Sequence, residues 1–239
     1  MIEIRHKDTG AVLKVVEADS LVGAFLDGAE LDGANLAGMN LSKADLQNAN
    51  LHNADLSRAR LESSMLKGAI LRGANLELTY LCKSDLTDAN LIGARCVSAN
   101  FSDTASRYIK LNDADLSKSK WNGADISMCE ARANFTKAEL VKADLRGSDL
   151  AGANFEDADL SGANLHDAKL GDANLNGARM EGAISTLGHR FGTKGTAGKG
   201  GTGKGGAAKG PSGSAARGPG PGSPSANRPK AKPWWQFWS

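Results

Sequence analysis

From Ala24 to Ile184 the chain repeats one five-residue phrase almost without interruption: a small residue, then usually Asn or Asp, then Leu, then two free positions. Ala29-Glu30-Leu31-Asp32-Gly33 is followed by Ala34-Asn35-Leu36-Ala37-Gly38, and so on. The leucine, here the centre, falls every fifth residue from Leu26 to Leu91, and the spacing resumes from Phe135 to Met180. A short fixed period decides architecture before any local preference does. Five matches neither the 3.6 of a helix face nor the 2 of a strand face. It is accommodated when each pentapeptide is a brief extended piece followed by a turn. The centre and the small residue two before it then point inward, and the other three point outward. Gly, Asn, Asp and Ser at the free positions suit tight turns. Four such sides close a square coil, and coils stack at about 4.8 Å by backbone hydrogen bonds.

With the A-(D/N)-L-x-x phrase recurring over roughly two thirds of the sequence, the chain resembles the pentapeptide-repeat family. The resemblance implies an all-β fold, a right-handed quadrilateral β-helix. About 32 pentapeptides would make about eight coils, a rod roughly 40 Å long at ladder spacing. Inward leucines would bury apolar surface along the axis at about 25 cal/mol per Å². The small inward site (Ala34, Ala44, Ala49, with Ser64, Thr79 and Ser84 as variants) leaves room for them. The resemblance also implies partners. Some members look like B-form DNA and bind DNA gyrase, protecting it from quinolones, and members often dimerise by stacking coil ends.

The regions outside the phrase differ in kind. Residues 1–23 read as a β-hairpin cap, with Ile2 and Ile4 on one strand, Val12, Leu13 and Val15 on the other, and Asp8-Thr9-Gly10 at the turn. A solenoid end needs such a cover. Within residues 24–184 the phrase loosens between Cys96 and Phe135. Centres become Ser106, Trp121 and Ala131, and small sites become Thr104, Ile109 and Cys129. Ile126 to Phe135 spans nine residues, so one is missing near Ala131-Arg132-Ala133, tightening one corner. Two readings stand for this stretch: drift that neighbours compensate, or a contact surface carrying Arg107, Tyr108 and Trp121. Residues 185–231 read as a disordered basic linker rich in Gly, Lys and Pro, although Leu187 and Phe191 are placed to cross the last coil. Residues 232–239 end in Trp234, Trp235, Phe237 and Trp238, an aromatic docking motif.

The formal charge of +2 hides an asymmetry: 23 acids against 17 bases over residues 24–184, and nine bases with no acid after them. If residues twenty apart stack, one side collects Asp27, Asp45, Asp85, Asp88, Asp125, Asp144 and Asp167 against Lys67, Arg107 and Arg146, a net of −4. Three scattered cysteines give no disulfide framework or C-x-x-C, four scattered histidines give no ligand spacing, and no cleft shifts a carboxylate toward catalysis. Gly198–Lys204 matches most of a P-loop, but Gly205 stands where Ser or Thr belongs, with no strand before it. No catalytic, cofactor or metal site is therefore assigned. The start lacks an apolar signal core, and the chain reads as cytoplasmic.

These residues point to a non-catalytic protein-binding scaffold, a rigid rod with a basic arm tipped by an aromatic hook. One alternative is a DNA mimic acting on gyrase. Another is a membrane-peripheral protein held by its tail, since Trp favours the interface and Lys favours anionic lipid. The tail lysines would equally suit nucleic acid, although the aromatics are bunched rather than interleaved with them.

Overall fold

Four backbone hydrogen bonds per regular pentapeptide build the observed coil, one closing the turn and three reaching neighbouring coils. The N–H of nearly every small residue donates back to the preceding centre carbonyl, as from Ala29 to Leu26 at 3.1 Å and from Ala49 to Leu46 at 3.1 Å, closing a four-residue turn; at Cys129 the N–H donates to Ser148 Oγ instead. The second free residue of nearly every turn has positive φ, from Gly28 (61°) to Gly182 (71°). This is the geometry of a type II turn, whose third residue favours Gly or Asn. Between turns, the residue before each centre pairs in parallel with the one twenty positions on, from Phe25↔Asp45 to Asn164↔Ile184. A pairing interval of twenty means four pentapeptides per coil. Residues 1–192 are described by this computed structural model, and residues 24–184 form the expected right-handed quadrilateral β-helix.

Every centre from Leu26 to Leu165 is fully or almost fully buried, as are Ala34, Ala44, Ala49 and most other small sites. The loosened stretch keeps the same plan by compensating volume. Phe101 and Trp121 stack one above the other with centroids 4.0 Å apart and planes within 6°. Narrow residues surround them: Cys96 and Ser106 flank Phe101 in its coil, and Ala131 stands across the coil from Trp121. Buried polar groups find partners. Trp121 Nε1 donates to Ser119 Oγ at 3.0 Å, and Ser106 Oγ donates to Thr104 Oγ1 at 3.0 Å. Further along, Phe135 and Phe155 stack at 4.8 Å.

The missing residue lies at the expected corner. Glu130 and Asn134 are consecutive ladder residues four apart, so pairs from Asp115↔Asn134 to Glu130↔Asp149 are separated by nineteen positions before twenty returns at Asn134↔Asn154. Only the corner absorbs the loss. Asn112 Oδ1 accepts from the Arg132 N–H at 3.0 Å, and the Asp113 N–H donates to the Arg132 carbonyl at 2.9 Å.

At the N-terminus, β1 (Ile2–Arg5) and β2 (Val12–Val16) pair antiparallel, with a register shift between Ile4 and Arg5. Ile4 is fully buried, the Asn35 N–H donates to the Arg5 carbonyl at 2.8 Å, and the Lys7 N–H donates to the Gly33 carbonyl at 2.8 Å. The hairpin thus covers part of the first coil. At the other end, residues 185–191, which the sequence places with the linker, fold back instead. Ile184 pairs antiparallel with Arg190, and the Phe191 N–H donates to the Ala183 carbonyl at 2.8 Å. Phe191 is half-buried by this return, whereas Leu187 stays exposed.

Candidate interaction surface

Three residues of each pentapeptide face outward, and the coil itself decides what one of them prefers to be. Where the ladder residue is Asn or Asp, its Oδ1 accepts from the backbone N–H two residues on: Asp45 from Gln47 at 3.2 Å, Asp55 from Ser57 at 3.0 Å, Asp85 from Thr87 at 2.9 Å. This side-chain closure of the following turn is the local reason for Asn and Asp at that site. Some amides also link successive coils, as Asn174 Nδ2 does to Asn154 Oδ1 at 2.9 Å.

Several outward residues give up that role. Met65, Ile70 and Tyr80 occupy ladder sites of a single coil, residues 61–80, and are 41, 43 and 50% exposed. Leu78, Tyr108 and Met128 occupy the positive-φ turn site at 58°, 59° and 58°, where a bulky apolar side chain is an outlier, and all three are exposed. Arg107 lies beside Tyr108, its guanidinium carbon 5.4 Å from the ring centroid. Tyr108 and Met128 are second turn residues of adjoining coils on one side, with Gly147 next in the column; a Cβ there would lie 2.6 Å from Met128 Sδ. On the same side Arg146 grips Asp144 through Nε at 2.9 Å. Partial burial pushes the Asp144 carboxyl up, but the hydrogen bonds and charge of Arg146 outweigh it and hold the group below the ordinary carboxylate range.

Arg107 and Tyr108 therefore sit together at the surface as the sequence suggests. Trp121 does not belong with them. It is fully buried, because its site is a coil centre, and it contributes packing instead. Trp234, Trp235, Phe237 and Trp238 lie outside the described residues. Sequence reading passed over Met65, Ile70, Leu78 and Met128. The available signal was a large apolar residue at an outward position of a phrase that otherwise carries Asn, Asp or Gly there.

The single-residue corner leaves a shallow groove of about 530 Å³, lined by Glu130, Arg132, Asp149, Gly152, Gly171 and Asp172 among others. Among the described residues, no three His, Cys, Asp or Glu side chains are grouped to hold a metal ion, and no helix is long and apolar enough to cross a membrane. Carboxyls with resolved shifts, Glu62, Asp144 and Asp149, are all held low, toward the ionised form.

The chain is similar to proteins of solved structure. HetL, a protein involved in heterocyst differentiation regulation from the cyanobacterium Nostoc sp. strain PCC 7120, is 28% identical over 73% of this chain and 94% of its own, with a TM-score of 0.33. A trypsin-treated form of QnrB1, a plasmid-mediated fluoroquinolone resistance protein, is 19% identical over 67% of this chain and 90% of its own, with a TM-score of 0.35. A pentapeptide repeat protein from the Arabidopsis thaliana thylakoid lumen is 25% identical over 50% and 67%, with a TM-score of 0.26. None of the curated proteins compared with the chain matches it. The sequence model described as pentapeptide repeats matches in eight copies, over residues 20–48, 44–81, 69–104, 131–167 and 163–184. The stretch it skips, 105–130, is the loosened one, where the coil continues on substituted centres. With more than half its length matched, the chain belongs to the pentapeptide repeat family.

Proposed function

We propose that this protein is a non-catalytic scaffold that binds a protein partner through outward side chains of its rod. One observation carries the reading: large apolar residues stand exposed at sites where the coil gains nothing from them. Met65, Ile70 and Tyr80 forgo the turn closure that Asn or Asp supplies, and Leu78, Tyr108 and Met128 occupy left-handed backbone. Tyr, Met and Arg, which meet at Tyr108, Met128 and Arg107, are enriched at protein interfaces. The test compares the proteins retained from the native lysate by the full chain and by Tyr108→Ser/Met128→Ser and Met65→Asn/Ile70→Asn/Tyr80→Asn variants of equal melting temperature. A partner held by the parent and lost from a variant supports the reading, and identical sets of retained proteins refute it.

The same rod has the means to pair with itself. Among the described residues, the last coil leaves the N–H groups of Leu170, Leu175 and Met180 and the carbonyls of Ala168, Ala173 and Ala178 without partners. We propose a homodimer through this end, checked by light scattering after size exclusion; a monomer at tens of micromolar removes it. A second reading rests on Asp45, Asp85, Asp125 and Asp144, which share one column of the rod with Met65 and Ala105 interleaved. It makes the protein a DNA-like modulator of gyrase, and unchanged supercoiling at micromolar protein excludes it. Liposome sedimentation checks membrane attachment through the tail.

A further inference from the structure

We propose that the coil of residues 61–80 is a girdle gripped by an extended segment of another protein that runs around the rod, across its axis. This deepens the scaffold reading and rests on it. Each side of this coil presents one large apolar side chain: Met65, Ile70 and Tyr80 at ladder sites of three sides, and Leu78 at the turn of the fourth, 40 to 50% exposed. The coils above and below present none that is equally exposed; Ile92 and Val97, at turn sites of residues 81–100, are only partly exposed. Their ladder residues are Asp45, Asn50, Asp55 and Arg60 on one flank and Asp85, Asn90, Arg95 and Asn100 on the other. No residue of 41–60 or 81–100 is an exposed large hydrophobic. Single exposed apolar residues are ordinary on protein surfaces. Four in one coil, one per side, between two polar coils, form a pattern.

That pattern selects the direction of the partner. A segment lying along the axis on one side meets at most one of the four, because Met65 has Asp45 and Asp85 as neighbours and Ile70 has Asn50 and Asn90. A flat surface reaches the apolar group of one side or, at a corner, two. Only a chain following the perimeter collects three or more. Opposite walls of such a coil are roughly a sheet-packing distance apart, about 10 Å, so neighbouring apolar groups around it call for contacts about every three extended residues of roughly 3.3 Å each. About ten residues of partner then span the path from Met65 to Tyr80. A belt one coil high is too narrow to sit in a bilayer. The groups this belt presents are apolar rather than basic, whereas a nucleic acid backbone is held by cations. The occupant is therefore an extended peptide segment with apolar side chains at intervals of about three residues.

Asn variants suit the test because Asn is the residue the ladder site otherwise carries, and it restores the turn closure. A library of displayed random 16-residue peptides is panned on the full-length protein, and selected peptides are titrated by fluorescence anisotropy against Met65→Asn, Ile70→Asn, Tyr80→Asn, the triple variant and Tyr108→Ser. The girdle predicts peptides whose affinity falls at least fivefold with each single substitution, is lost with the triple variant, and is unchanged by Tyr108→Ser. Peptides sensitive to only one of the three sites, or to none, overturn it. Peptides sensitive to Tyr108→Ser alone leave the scaffold reading standing without the girdle. A library that yields no binder removes both.

Discussion

Alanine and leucine share each side of the coil interior, one small and one large, and the coil has no slack for two large ones. Ala49 is fully buried, whereas Gln47 and Asn48 stand outside. Ala49→Leu should therefore destabilise the rod by about 1–3 kcal/mol, as overpacking does, and substitutions at Gln47 or Asn48 should move the melting temperature far less. Equal melting temperatures would contradict the inward assignment. The turn site behaves in the opposite sense. Leu78 holds φ at 58° and is 40% exposed. Left-handed backbone costs roughly 1–2 kcal/mol for such a residue, partly offset by the entropy glycine loses on folding. Leu78→Gly should raise stability by about 0.5–1 kcal/mol in thermal or urea unfolding; a loss would mean that the side chain packs. The thiols offer a third check. Burial pushes Cys129 up to about 11 and Cys96 higher still, and both lie inside the coil. Half-buried Cys82 is raised too, chiefly by burial. A thiol reagent at pH 8 should reach no more than Cys82 in the native protein and all three after denaturation. The inward sites were legible from spacing alone, Cys96 and Cys129 included, because a period of five leaves no other arrangement for the leucines. The turn closure by Asn and Asp was not, since an outward polar residue reads the same whether it bonds its own backbone or water.

At the scale of the element, each corner is an adjustable joint and each ladder segment is not. The corner at Arg132 works with one residue because Asn112 takes its N–H, and the register recovers within the same coil. Inserting Gly between Arg132 and Ala133 should restore the usual two-residue turn, change stability by less than about 1 kcal/mol and fill the groove. The same insertion between Asp115 and Leu116 shifts the inward and outward sets against each other, which a half-buried extended segment does not tolerate, and should abolish cooperative unfolding. Similar melts for the two insertions would show that corners are not the tolerant points. Sequence located this corner by counting from Ile126 to Phe135. It did not separate Trp121 from Arg107 and Tyr108 as a surface group, although the centre register already placed Trp121 inside. Unusual residues were grouped by nearness in the chain, while the coil sorts them by direction.

For the rod as a whole, leucine columns supply stability and the outward sites are left for recognition. The hairpin at residues 1–16 and the return of residues 185–191 cover parts of its two ends. The acidic side found by stacking residues twenty apart is present, with Asp45, Asp85, Asp125 and Asp144 in one column. The apolar girdle escaped the same bookkeeping, because that sum ran along the axis and the girdle runs around it. The most direct test of this division of labour is the thermal unfolding of the Met65→Asn/Ile70→Asn/Tyr80→Asn variant beside the parent. If outward apolar residues serve a partner, the variant melts at the parent's temperature or above it, since three turns regain their closing hydrogen bonds. A melting temperature lower by many degrees would mean that these side chains hold the rod together, and the account of its surface would fall.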